Sequence, residues 1–300
     1  MSQPPERLTA ADFDPEVLQL FDKYVHGQID RRGFIDGATR FAVGGSTAAG
    51  LLAALSPDFA LAQKVSPQDQ RLKTEFVEFD SPAGNGRVRA YVARPAQAAG
   101  VLPVVLVVHE NRGLNPHIED IARRLALEQF IAVAPDALFP LGGYPGNEDQ
   151  ARELFGKLDA GKTREDFVAA AAHARGIAGG NGRLGAVGFC FGGSIVNLLA
   201  TRMPELLAGV PFYGSAPATD QVARIKAEML MIFADTDERI NAPWPAYEAA
   251  LKAAGVRFEA FKYPGTQHGF NNDTTPRFDE AAAANTWGRT IELFKRSLRA

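Results

Sequence analysis

Cysteine is almost absent from this chain. Its 300 residues contain one, Cys190. A single thiol excludes an internal disulfide and any zinc site built from several cysteines. Long apolar runs are missing too, since none reaches the roughly 20 residues needed to cross a membrane as a helix. Basic excess is also absent. The net charge is −3, so there is no electrostatic footprint for nucleic acid or an anionic membrane surface. With 46% apolar and 22% charged residues, the composition is that of an ordinary globular protein.

The one cysteine sits in an informative place. Gly188-Phe189-Cys190-Phe191-Gly192-Gly193 follows the apolar run Leu184–Val187 and precedes a helical run, Ser194–Arg202. Glycine-x-nucleophile-x-glycine between a strand and a helix makes a tight, strained turn that lifts the central side chain above the sheet. Glycines flank it because the turn has no room for Cβ atoms. A cysteine at the centre points to acyl transfer through a thiolate.

The rest of the pattern predicts an α/β protein. Strands are expected at Leu72–Phe79 and Val88–Ala93 around the turn 81–86, then at Val104–Val108, Phe130–Ala134, Leu184–Val187, Leu207–Tyr213, Met229–Ala234 and Val256–Tyr263. Helices are expected at Ile118–Glu128, Asn147–Leu158, Arg164–Ile177, Trp244–Ala254 and Pro276–Arg299. The alternation implies a doubly wound, mainly parallel sheet with helices on both faces and the site at the strands' carboxyl ends. No repeat or low-complexity linker divides it, which predicts one catalytic domain, residues 63–300.

A thiol nucleophile needs a base, and the base needs an orienting acid. Of five histidines, His26 lies in the N-terminal extension, His117 starts a helix, His173 is inside one, and His109 ends a buried strand. His268 lies in a loop straight after the last strand, where a base belongs. Asp235 and Asp237 both follow the strand Met229–Ala234. Asp237, further into the loop, is the expected partner of His268, and Asp235 the expected turn cap. The backbone amides of Phe191 and Asn111 are the expected oxyanion donors. Glu110, at a buried strand end, needs a partner: either a cation such as Arg112, or the Cys190 thiol and substrate. Tyr144, Tyr213, Trp244 and Phe270 are candidate pocket walls, each with a core reading beside it.

Phe-Cys-Phe-Gly-Gly, His-Glu-Asn-Arg-Gly, Ala-Asp-Thr-Asp and Gln-His-Gly-Phe occur here in order. With them the chain resembles the dienelactone hydrolase family of α/β-hydrolases over residues 71–298. The resemblance implies a Cys190–His268–Asp237 triad, hydrolysis of a small-molecule ester or lactone, and no metal or organic cofactor. It also implies that Glu110 holds the Cys190 proton until substrate displaces it. Members that cleave dienelactone hold the substrate carboxylate with two arginines. The corresponding segments here, 138–144 and 270–273, contain none. That favours a neutral or larger ester, with Arg112 either a substitute anchor or the partner of an acid. A thioesterase or acyltransferase would use the same residues, and a non-catalytic binding protein could keep the fold. A homo-oligomer is compatible with all of these.

Residues 1–62 form a separate extension. Asp14–Gln28 has the apolar spacing of an amphipathic helix. Arg31-Arg32, the weakly apolar run Phe41–Leu55 and Ala60-Leu61-Ala62 resemble a twin-arginine export signal with its cleavage site. Two expectations follow: periplasmic export with loss of the extension, or a cytoplasmic protein whose extension stays and packs on the body.

Overall fold

The computed structural model describes residues 7–42 and 47–299. An eight-stranded sheet forms the centre: β1 (Leu72–Ser81), β2 (Gly86–Pro95), β3 (Leu102–Val108), β4 (Ile131–Pro135), β5 (Gly180–Phe189), β6 (Leu206–Phe212), β7 (Glu228–Ala234) and β8 (Phe258–Tyr263). Their spatial order is β1-β2-β4-β3-β5-β6-β7-β8. β1 and β2 form an antiparallel hairpin, β2 pairs antiparallel with β4, and all later neighbours are parallel.

Helices α1 (Pro15–Val25), α2 (Arg31–Ala38), α3 (Ala48–Leu55) and α4 (Phe59–Ala62) precede the sheet. The others are α5 (Pro116–Leu127), α6 (Glu148–Phe155), α7 (Ala160–Arg175), α8 (Phe191–Arg202), α9 (Glu238–Asn241), α10 (Trp244–Ala253) and α11 (Glu280–Leu298).

β3 shows why this sheet carries helices on both faces. Its residues alternate between two cores: Val104, Leu106 and Val108 pack with α7 and α8, and Val105 and Val107 with α5 and α11. A strand buried on both sides reads as a continuous apolar run, which is how Val104–Val108 reads. Two helix boundaries differ from expectation. α7 starts four residues earlier than its apolar pattern, because Asp159 caps it through the Lys162 amide. α11 starts at Glu280 rather than Pro276, because Asp279 accepts from the Ala282 amide and sets the first turn there. Residues 264–279 are therefore one long loop after β8.

The N-terminal helices have their own small core. Val17, Leu18 and Phe21 of α1 meet Phe34 of α2 and Leu52 and Leu55 of α3. Asp14 caps α1, and Gly27, at φ +72°, turns the chain away. This module lies on the catalytic domain. Tyr24 and Arg31 both bond Asp149 of α6, and the Arg152 guanidinium covers the Tyr24 ring at 4.2 Å. Arg7 donates to the Asp273 carbonyl, and the Asp58 amide donates to the Thr274 carbonyl at 2.8 Å. The arginine pair thus opens a helix here. Residues 43–46 of the apolar run lie outside the described residues.

Candidate active site

The carboxyl edge of the sheet collects the site. Cys190 follows β5, Glu110 and Asn111 follow β3, Asp237 follows β7 and His268 follows β8. Cys190 stands between β5 and α8 at φ 55°, ψ −112°, a left-handed conformation that a non-glycine residue holds only under strain. The surroundings enforce it. The Cys190 amide donates to Phe212 O at 3.0 Å. A Cβ on Gly188 would collide with the Gly192 carbonyl, and one on Gly192 with the Val108 carbonyl. Phe191 is the first residue of α8, where backbone N–H groups have no acceptor within the helix.

Asp237 is buried and accepts a short hydrogen bond from His268 Nδ1. Asp235 instead accepts from the Gly265 amide at 3.1 Å and pairs with Lys262 at 3.2 Å, closing the turn between β7 and the β8 loop. Three other histidines have structural partners. His109 Nε2 accepts from the Ala137 amide, His117 pairs with Asp273 at 3.1 Å, and His173 stacks on Phe79.

The fifth histidine is the one sequence reasoning set aside. His26 Nε2 lies 3.6 Å from Cys190 Sγ, and its ring packs edge-on to His268 with centroids 4.7 Å apart. Asp22 stands behind it. His26 Nδ1 faces the Asp22 carbonyl at 2.8 Å and carboxylate at 3.3 Å. Glu110 is not the thiol's partner in this state. Its carboxylate accepts from Asn272 Nδ2 at 2.8 Å, and no ion pair joins it to Arg112 among the described residues. Arg112 pairs with Glu148 at 3.7 Å and donates to Asn111 Oδ1 at 2.8 Å.

Charge follows this geometry. Burial pushes the Cys190 thiol up, but His268 and His26 more than reverse it and bring its pKa to about 6. Burial pushes both imidazoles down. Cys190 and Asp237 outweigh that at His268, raising it to about 10. Hydrogen bonds to Asp22 and Cys190 do the same at His26, raising it to about 9. Sγ and the two imidazoles place donor atoms within 4.8 Å of one another. The exposed Arg239 guanidinium lies 3.2 Å from His26 Nε2 at the edge of that cluster.

Cys190 and His268 face a cavity of about 50 Å³. Phe21, Tyr24, Val25, Ser56 and Pro57 of the N-terminal module roof it, and Arg112 and Arg277 line its walls. Asn111 Nδ2 and Arg112 hold the Val25 carbonyl at 2.9 and 3.3 Å. Of the expected wall residues, Arg112 is the one in this cavity. Tyr213 packs against His268, and Phe270 packs against Tyr213. Trp244 packs on Phe233 and Phe258, and Tyr144 donates to Glu148. A neutral or larger ester was expected above; the cavity is small and carries two guanidinium groups in its wall. The second arginine, Arg277, lies beyond the segments where one was sought, and the long loop folds it back.

Comparison with known proteins identifies the family. The dienelactone hydrolase family model matches residues 88–298, and a YqhI-like model matches residues 4–43. An Escherichia coli (strain K12) protein named "Putative carboxymethylenebutenolidase" is 35% identical over 248 residues, covering 77% of this chain and 90% of that one. A second protein of that strain, "Putative hydrolase fragment YghX", is 50% identical over 113 residues, 38% of this chain and 97% of its own. A solved structure titled "Putative Dienelactone Hydrolase from Klebsiella pneumoniae subsp. pneumoniae MGH 78578" superposes with a TM-score of 0.66 at 31% identity, covering 75% of this chain and 99% of that one. The chain belongs to the dienelactone hydrolase family, and with it to the ester- and lactone-cleaving enzymes of the α/β-hydrolase fold.

Proposed function

We propose that this enzyme hydrolyses compact, carboxylate-bearing esters or lactones through an acyl-thioester on Cys190. The observation that carries this reading is the strained Cys190 elbow facing a buried His268–Asp237 pair. The Cys190 thiolate attacks the substrate carbonyl, and the amides of Phe191 and Asn111 hold the oxyanion. His268, oriented by Asp237, gives its proton to the leaving alkoxide and then takes one from the attacking water.

Arg112 and Arg277 support the choice of an anionic substrate. Arg277 is buried, and its Nε and Nη1 have no hydrogen-bond partner. Guanidinium groups recognise carboxylates bidentately. Small-molecule sites usually span about 300–1,000 Å³, so a cavity of about 50 Å³ describes a closed state, and substrate enters when the roof lifts.

The test is hydrolysis of p-nitrophenyl esters and small lactones, each with and without a carboxylate, by wild type and Cys190→Ser. Turnover that favours carboxylate-bearing substrates and is lost in the variant is expected. Wild-type rates in Cys190→Ser would refute the thiol mechanism. Equal rates on neutral and anionic esters would refute the substrate class.

A further inference from the structure

We infer that His26, carried by the N-terminal module, is a catalytic residue: with the roof closed it takes the Cys190 proton and pairs with the thiolate so formed. The inference rests on the reading that Cys190 is the nucleophile. His26 lies outside the part of the chain matched by the hydrolase family model, so it is a contribution of this chain's own extension.

The geometry is that of a second histidine–aspartate pair aimed at one sulfur. His26 Nδ1 faces acceptors only, both from Asp22, so it carries a hydrogen and leaves Nε2 as the acceptor, with the thiol at 3.6 Å and the exposed Arg239 guanidinium at 3.2 Å as the two donors facing it. His268 Nε2 is buried beside Cys190 with no hydrogen-bond partner of its own, which leaves it to serve the departing oxygen and the attacking water once substrate is bound. The two rings therefore divide the work. The Cys190 S–H bond breaks and its proton moves to His26 Nε2, giving a thiolate–imidazolium pair. The thiolate then bonds the acyl carbon while His268 protonates the departing oxygen. Water attacks the thioester, His268 takes the water proton, and the C–S bond breaks. The sulfur leaves as a thiolate, which pairs with the His26 imidazolium when the roof closes. Each cycle moves one proton out and one back at His268 alone.

The groups around His26 favour this state. Asp22 backs it, and the thiolate faces it. His268 and the Arg239 guanidinium oppose its charge, but Arg239 is exposed, where solvent screens it. Arg277, 3.8 Å from Asp22, competes weakly for that carboxylate. Around the sulfur, Arg112 favours the thiolate, and Glu110 and Glu148 in the same cavity wall oppose it. Glu110 is occupied by Asn272 and is the rival candidate for the thiol proton.

Because Cys190 is the only cysteine, its ionisation can be read directly from ultraviolet thiolate absorbance of the full-length protein, with Cys190→Ser as the blank. Wild type, His26→Gln, Asp22→Asn and Glu110→Gln would be titrated. The expected result is a midpoint raised by about one pH unit or more in His26→Gln, a smaller rise in Asp22→Asn, and no rise in Glu110→Gln. A merely structural His26 would leave the midpoint in place. A His26→Gln midpoint that moves by less than this overturns the inference. Ester turnover by Cys190→Ser, measured in parallel, reports on the hydrolase reading separately: full turnover there removes the nucleophile itself, whatever the titration shows.

Discussion

Phe34→Ala tests whether the N-terminal module is the gate to Cys190. Phe34 is fully buried and sits at the middle of the small core, edge-on to Phe21 at 6.3 Å and tilted on Tyr24 at 5.9 Å. Truncating a buried Phe to Ala costs about 3–5 kcal/mol. The cost falls on one small cluster of helices and leaves both cores of the sheet untouched. It should therefore appear as local opening of the module rather than global unfolding. At about 1.4 kcal/mol per factor of ten, the open population rises roughly a hundred- to a few-thousandfold. The assay is alkylation of Cys190 by a bulky maleimide, which a cavity of about 50 Å³ does not admit while closed. Working above the ordinary thiol pKa of about 8.5 keeps the sulfur ionised in the open state even after His26 has left. The alkylation rate should rise by the same factor while the main melting transition of the catalytic domain stays near wild type. An alkylation rate within about threefold of wild type, with the module shown to be destabilised by proteolysis, would refute the view that the roof controls access.

Four further outcomes are expected. Asp237→Asn should lower kcat by roughly 10⁴, as loss of the orienting carboxylate does in serine triads, while Asp235→Asn should change kcat little; steady-state kinetics of both variants decide between the two aspartates. Arg277→Gln should raise KM for carboxylate-bearing esters about tenfold or more, from loss of a charge-assisted hydrogen bond of about 1.5–3 kcal/mol, and leave neutral esters nearly unchanged. The pH profile of kcat/KM should fall on the acid side near pH 6, because Cys190, held at about 6, regains its proton as pH drops through that value; a fall centred near pH 8 would contradict the assignment. Asp273 is buried, and its bonds to His117 and Arg124 hold its carboxyl below the usual range. The stability this gives is present above the ordinary carboxylate pKa of about 3.9 and is lost as pH falls below it, so Asp273→Asn should flatten the acid limb of thermal stability.

Local signals made most of the catalytic domain legible. The elbow could be read because its glycines are dictated by backbone contacts within a few residues and across one strand. The order of Cys190, Asp237 and His268 could be read because each leaves a strand whose apolar run marks its end. His26 could not be read, because it stands 164 residues from Cys190 at the end of a helix that looks like any amphipathic helix; the one local trace was Asp22 four residues before it. Arg277 was missed because the Asp279 cap, not the apolar pattern, sets the start of α11, leaving a longer loop than the sequence suggested. For the aromatics the structure shows the core alternative, for a related reason: the chain's own N-terminus supplies Phe21 and Tyr24 to the cavity, while Tyr213 packs on the His268 ring and Phe270 on Tyr213.

The solitary thiol has a consequence for damage. A low-pKa thiolate is the form that peroxides oxidise, first to a sulfenic acid that a neighbouring thiol rescues as a disulfide. This chain has no neighbouring thiol to offer. Once oxidised, Cys190 depends on a small reductant that must pass Phe21, Tyr24 and Pro57 to reach it. If the roof gates substrate in the way the Phe34→Ala experiment tests, it shields the sulfur from oxidants by the same contacts, and a variant that opens more freely would be inactivated sooner.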